Sequence, residues 1–449
     1  MASALNTINA LHAEEGAQHD TLKDANKGHR TAEHVENIMT DEARPAISDG
    51  TRKPLADMEE PALDGGLRAW LQVAGSFLIF SNIWGFTFSF GAFSAFYEIT
   101  YLPSTSASTV AWIGTSSNFL LIFGGILSGP LFDLGYFRTM LLAGAFIETL
   151  SIFLLSLSTK YYQILLTQGI LVGLGNSLLY MPGLALIGRS FNKHRSAAMA
   201  VATCGAPIGG IIFTLVFQQL IEQLSFGNTV RICGYIVLIC YLISFPLLLW
   251  GVHNVGSLGQ GEKRKLFDGK AFLELPFVLY TASNFMVFFG YLVPFFFMSA
   301  YGQIALGMSS SAANATIMIT QATSIIGRLA AGYSAARIGN MIQWAICALG
   351  SGVLCIGWIG IHSSGTFYLL VALYGFFSGP LISLPPSAFA TVCPDPKVFG
   401  TRLGMASALG AFASLIGSPI AGALTGSAAG SANFIGLQLF AGICKKQLV

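Results

Sequence analysis

Polar and apolar positions along this 449-residue chain fall into long blocks rather than short alternations. A helix rising 1.5 Å per residue needs about 20 apolar residues to cross a hydrocarbon core of ~30 Å. Runs of that kind occupy 70–96, 110–132, 140–157, 162–187, 197–220 and 231–251. After a polar stretch they resume at 272–301, 312–336, 341–361, 367–391 and 403–425. A shorter run at 432–444 closes the series. The pattern predicts an all-α membrane protein with eleven full spans and a twelfth helix that is short or truncated, too short to cross unaided.

The polar blocks set an orientation. Arg138, Arg189, Lys193, Arg195, Lys263, Arg264, Lys265, Lys270, Arg337, Lys397, Arg402, Lys445 and Lys446 fall on one side of the predicted helices, and only Lys160 and Arg231 on the other. Lys and Arg are retained on the cytoplasmic side, so both termini are expected in the cytoplasm, and the plasma membrane is the expected location. The longest internal polar stretch separates two sets of six helices. The expected organisation is an acidic, disordered cytoplasmic tail over 1–66, a six-helix half over 67–252, a cytoplasmic linker over 253–270 and a second half over 271–449.

Weak echoes link the halves. Gly124 and Gly129 before Arg138 resemble Gly327 and Gly332 before Arg337 and Gly339. Arg195 with Ala198-Met199-Ala200 and Gly205 resembles Arg402 with Gly404-Met405-Ala406 and Gly410. Each echo falls at the same ordinal helix of its half, and such internal repeats are a mark of secondary transporters.

Composition agrees. Residues are 53% hydrophobic and 10% charged, against about 25% charged in soluble domains. Residues 1–69 hold 13 of the 21 acids and 7 of the 23 bases, which leaves a basic membrane body. No dense basic face for nucleic acid stands out. The seven cysteines are scattered without a C-x-x-C pair, so no metal site is expected. A phosphate-binding G-x4-G-K-[ST] loop is missing, as are HExxH and GxSxG. No cofactor and no enzymatic activity are expected.

Charges inside the spans carry the chemistry. Arg328 stands alone in helix eight, where a cation costs at least ~2.5 kcal/mol on insertion scales unless it meets a partner or water. No acid shares its helix. Its partner must come from another helix or from a solute, and a carboxylate would fit the guanidinium fork. A structural salt bridge or snorkelling is the plainer alternative. Glu148 is the one acid well inside a span. It is expected either to pair with Arg328 or relay protons, or to be satisfied locally. Asp133 and Arg138 flank the turn between helices two and three and are candidates for a cytoplasmic gate. Asn82, Asn176, Tyr180, Asn284, Tyr291 and Gln321 are polar groups within spans. Of these, Asn176, Tyr180, Asn284 and Tyr291 join Arg328 as candidate solute-binding residues, with Phe285, Phe288, Phe289 and Phe295–Phe297 as candidate walls. Pro182, Pro294, Pro380, Pro385 and Pro386 should kink helices four, seven and ten.

Several motifs resemble the monocarboxylate-transporter-like family, fungal branch, of the major facilitator superfamily. They are Asp64-Gly65-Gly66-x-x-Ala69-Trp70, Gly129-Pro130-Leu131-Phe132-Asp133 with Arg138, Gly173-x-Gly175 with Pro182, Phe191-x-Lys193-x-Arg195, Asn284 with Phe288-Phe289-Gly290 and Pro294, and Gly327-Arg328. The resemblance implies a major-facilitator-type fold of two six-helix halves, working by alternating access. It also implies uniport or proton-linked symport of small carboxylates, with Arg328 meeting the carboxylate. Where animal relatives carry a helix-one lysine and an acid a turn before the arginine, this chain has Gly91, Ala92 and Ser324. The leading expectation is therefore a carrier of small organic anions. The alternatives are an exporter of neutral or amphipathic secondary metabolites or vitamins, or a non-transporting sensor on a carrier fold.

Overall fold

The computed structural model describes residues 65–191, 195–250, 267–393, 396–425 and 433–446. The expected tail up to residue 64, the connector over 253–266 and the Asp133 side chain lie outside the described residues.

Among the described residues, twelve rods follow one another. The first three are α1 Leu67–Phe96, α2 Ala107–Asp133 and α3 Phe137–Leu155. The fourth, α4, is built from Tyr161–Ile164, a π-helical Leu165–Leu171 and Val172–Ser190. The fifth, α5, is Arg195–Thr203 continued by Gly205–Ile221, and α6 is Phe226–Leu249. The second set is α7 Leu275–Ile304, α8 Ser310–Ile338, α9 Asn340–Gly357, a broken α10 (Ser364–Ser378, Pro380–Ser383, Pro385–Val392), α11 Pro396–Ala423 and α12 Ile435–Lys446. Among the described residues, nine helices are long and apolar enough to cross a membrane. The rods outside that group are α4, α8 and the short α12. α8 falls out because buried Asn314, Thr316, Thr320, Gln321, Ser324 and Arg328 dilute its apolar face.

Helix breaks follow the prolines unevenly. Pro380 and Pro385 each start a new segment of α10, as expected of a residue without an N–H. Pro182 and Pro294 are absorbed within continuous helices.

The two sets of six repeat one packing plan. α1 crosses α5 so closely that a Cβ on Gly209 would overlap the Ser81 carbonyl oxygen, and α7 crosses α11 so closely that one on Gly417 would overlap that of Phe289. α2 packs on α4 at Gly124 and Ser177, as α8 packs on α10 at Gly379 and Ser324. The α2–α3 turn closes on Gly135 and the α8–α9 turn on Gly339, with φ of 87° and 93°, the left-handed conformation that favours glycine after a helix. These turns share one end of the bundle, here called the basic end.

The halves meet through two antiparallel helix pairs. In α2·α11, Ser108 Oγ donates to the Pro419 carbonyl at 2.7 Å and Asn118 Nδ2 to Ser414 Oγ at 3.0 Å. In α5·α8, Gln218 Nε2 donates to Ser311 Oγ at 2.8 Å, Gly210 faces Gln321, and Arg328 reaches Thr203. α1 meets α7 away from the basic end, where Phe88 packs tilted against Phe295 at 5.2 Å and Phe90 meets Phe296 edge-on at 4.6 Å.

One sequence expectation needs correction. The apolar run ending at 444 places Lys445 outside the spans, yet it is fully buried within α12. Its ammonium donates to Tyr374 Oη at 2.8 Å and lies 4.6 Å from that ring's centre. The 12 residues of α12 cover only ~18 Å at 1.5 Å each. The lysine therefore ends beside the middle of α10 instead of reaching a surface.

Candidate functional site

Arg328 stands where the halves face each other. Gly327 lets α8 press against α10, because a Cβ there would overlap the Phe376 carbonyl oxygen. That contact turns the next side chain toward α5. Arg328 is 8% exposed, and its Nη1 donates to the Thr203 carbonyl at 3.0 Å. Its Nε is buried without a partner. Tyr291 of α7 and Cys204 of α5 are its electrostatic neighbours. Among the described residues the ion pairs join Arg402 to Asp268 and to Glu274, and neither involves Arg328. Nor does Glu148 reach it. Glu148 is fully buried in the first half and accepts a hydrogen bond from the Tyr241 hydroxyl of α6.

Aromatic rings lead from this cation into the opposite half. Phe288 neighbours Tyr291 at 6.1 Å, Tyr291 neighbours Phe295 at 5.3 Å, and Phe295 meets Phe88 of α1 at 5.2 Å. Phe88 stacks on Trp84 at 5.8 Å, and Trp84 meets Tyr180 of α4 edge-on at 6.1 Å. The rings cover one another, with Tyr291, Phe295 and Phe88 each 1% exposed, so their flat faces beside the guanidinium become available to a ring-bearing anion when the halves part.

Two six-helix sets repeating one packing plan, joined by antiparallel α2·α11 and α5·α8 pairs, are the architecture against which known proteins can be compared. The model of the Major Facilitator Superfamily matches residues 75–365. The chain belongs to the major facilitator superfamily. It is 35% identical to the MFS-type transporter pynF of Aspergillus niger, over 81% of this chain and 83% of that protein. It is 34% identical to the aspyridones efflux protein apdF of Emericella nidulans, over 86% and 77%. To the agnestins efflux protein AgnL12 of Paecilomyces divaricatus it is 32% identical, over 85% and 86%. Like other members of this superfamily, the chain is a membrane transporter and not an enzyme.

Within this family member, the remaining sequence candidates divide into four groups. Tyr291 and Tyr180 belong to the aromatic row beside Arg328, and the Tyr291 hydroxyl is buried without a partner. Asn284 donates to the Ala406 carbonyl at 3.3 Å, leaving its Oδ1 unpartnered. Both amide atoms of buried Asn176 in α4 lack partners. Buried polar atoms are almost always hydrogen-bonded, so these groups have capacity for a polar solute. Glu148 sits apart, with Tyr241 and, through Tyr241, Asn82. Arg138 is exposed at the start of α3, beyond the Gly135 turn, and Asp133 ends α2. Of the phenylalanines, Phe295 and Phe296 contact the opposite half, whereas Phe285 and Phe289 stack together and Phe289 meets Phe440 of α12.

Sequence reasoning missed Thr203, Trp84 and Phe88. The signal for Thr203 was available, because Pro207 stands four residues later and cannot supply the N–H that a helix would offer its carbonyl. Trp84 and Phe88, one turn apart, carried no charge to separate them from ordinary packing.

Proposed function

We propose that this protein exports ring-bearing, acidic secondary metabolites by alternating access, with Arg328 receiving the acidic group. The observation carrying this reading is the guanidinium itself. It is buried between the halves, met by a carbonyl instead of a carboxylate, and left with an unpartnered Nε. An intramembrane cation without a counter-ion is a functional site by default, and an anion supplies the missing charge. The aromatic row from Tyr291 to Tyr180, whose rings cover one another here, would be replaced on binding by a flat, amphipathic body of matching area better than by a lactate-sized solute. The efflux names of two relatives point the same way. In this reading the basic end faces the cytoplasm, both termini lie there, and the plasma membrane is the site of action. Asn176, Asn284, Tyr180 and Tyr291 orient the solute, and the turn holding Asp133 and Arg138 belongs to the cytoplasmic gate. The small-monocarboxylate reading shares Arg328 but leaves the aromatic row without a role.

The test is uptake into inverted vesicles, with aromatic carboxylic acids and their methyl esters compared side by side. The acids should move and the esters lag by at least about tenfold, roughly the 1.4 kcal/mol of one good charge-assisted contact. Arg328→Ala should erase that preference. Equal movement of acid and ester, unchanged in the variant, would refute the assignment.

A further inference from the structure

Arg328 reaches across to a carbonyl that an ordinary helix would have kept for itself. An α-helix pairs each carbonyl with the N–H four residues on. For Thr203 that residue is Pro207, which has no N–H. α5 is interrupted there, with Arg195–Thr203 ending and Gly205–Ile221 beginning on either side of Cys204. An unpaired carbonyl inside a membrane protein must find a donor elsewhere. It finds Nη1 of Arg328, on the other half of the molecule, at 3.0 Å.

The geometry of the guanidinium decides what this contact can do. Nη1 lies on the Cδ side, while Nε and Nη2 form the other edge, the parallel pair of donors that grips a carboxylate side-on. Holding Nη1 leaves that edge open, and the buried Nε on it has no partner. The carbonyl therefore orients the fork instead of occupying it. Along the same helix pair, Gly210 faces Gln321 and Gln218 bonds Ser311, so the contact belongs to a continuous α5·α8 seam.

We infer that the Thr203 carbonyl, freed by Pro207, is a positioning acceptor that aims the Nε–Nη2 edge of Arg328 at the substrate's anionic group only while α5 and α8 are together. This rests on the exporter reading above and adds a switch to it. When the halves rock and the seam parts, the carbonyl withdraws, the fork loses its aim, and the affinity for the anion falls. A carrier gains vectorial release if the site that grips in one state loosens in the other.

Pro207→Ala restores an N–H to compete for the Thr203 carbonyl. In the purified protein, the KM for an aromatic acid should rise about fivefold to tenfold. The KM of its methyl ester and the maximal rates of both should stay within twofold. A purely structural disturbance would move acid and ester together, and that outcome, or no change in either, overturns the inference. A second variant covers failure of Pro207→Ala to fold. Gly210→Cys with Gln321→Cys, cross-linked about two turns from the contact where a Cβ on Gly210 would meet the Gln321 side chain, pins this part of the seam together, and acid binding should tighten severalfold with the ester unaffected. Unaltered acid binding in the cross-linked protein also overturns it. Wild-type protein that binds neither acid nor ester sinks the exporter reading; acid bound equally well by wild type and Pro207→Ala sinks only the positioning role.

Discussion

Two arginines of the second half show opposite ways of housing a cation. Arg402, near the start of α11, is surrounded by fixed anions. Its Nε bonds Asp268 at 2.8 Å, and its two Nη atoms grip Glu274 at 2.7 Å each. Both acids belong to the short segment leading into α7, so the clasp ties α7 to α11 within one half. Arg328, on α8, has no acid and holds one backbone carbonyl of the other half. A charge neutralised inside a rigid unit has nothing left to offer a solute. A charge held by a neutral acceptor across a moving interface keeps most of its field. The contrast separates the part of the charge set that builds the molecule from the part that works.

Glu148 gives the most demanding test of that division, because it is an acid at full burial within one half. Its Oε2 accepts from the Tyr241 hydroxyl and its Oε1 has no partner. By the rule drawn from the arginines it sides with Arg402. Tyr241→Phe would leave a buried carboxyl without any donor, at a cost of about 1–3 kcal/mol. Each kcal/mol corresponds to about 2–4 °C in melting temperature for domains of 150–250 residues. A drop of several degrees is expected in detergent, with efflux per folded molecule kept within twofold. An unchanged melting temperature together with lost efflux under a proton gradient would move Glu148 to the working set and break the division.

The next effect is smaller. Arg402→Ala removes a bidentate pair and a second carboxylate contact, but Glu274 is half exposed, and exposed pairs contribute little. A loss of about 2 °C in melting temperature is expected. Raised salt should narrow the difference between variant and wild type, since screening already weakens the wild-type clasp. Efflux should persist. Loss of efflux matching that of Arg328→Ala would show that the clasp works rather than builds.

Much of this was legible in the chain, for reasons that differ by residue. The rods were visible because lipid demands runs of apolar residues, and the six-plus-six repeat because Gly124, Gly129 and Arg138 recur in the second half as Gly327, Gly332 and Arg337. Arg328 stood out because a charge inside a span is rare. Its partner did not, because a backbone carbonyl carries no side-chain signature, and only the spacing from Thr203 to Pro207 betrays it. Lys445 misled for the opposite reason. A basic residue after an apolar run reads as a loop, but α12 is too short to carry it to the surface. The aromatic row was hidden because Trp84, Phe88 and Phe295 come from two helices far apart in sequence, and ring stacking across a fold leaves no local pattern.

The finest distinction lies in the acid limb of Asp268. The Arg402 hydrogen bond, helped by its charge, holds this carboxyl below the usual aspartate range. A lowered folded value means that the ionised form is the one the fold favours. Its stabilisation is thus complete above the unfolded value of about 3.9 and is lost as pH falls through the lower folded value. Asp268→Asn cannot ionise and forgoes that contribution at every pH. Wild type should therefore melt slightly above the variant at neutral pH. The gap should stay constant down to about pH 4 and close beneath it. Other carboxyls titrate in the same window, so the difference between the two proteins is the quantity to follow, not either curve alone. A gap that persists undiminished below pH 3 would mean that Asp268 supports Arg402 through shape and hydrogen bonding alone. The clasp would then owe little to charge, and the contrast with Arg328 would rest on which half supplies the partner instead of on whether that partner is an anion.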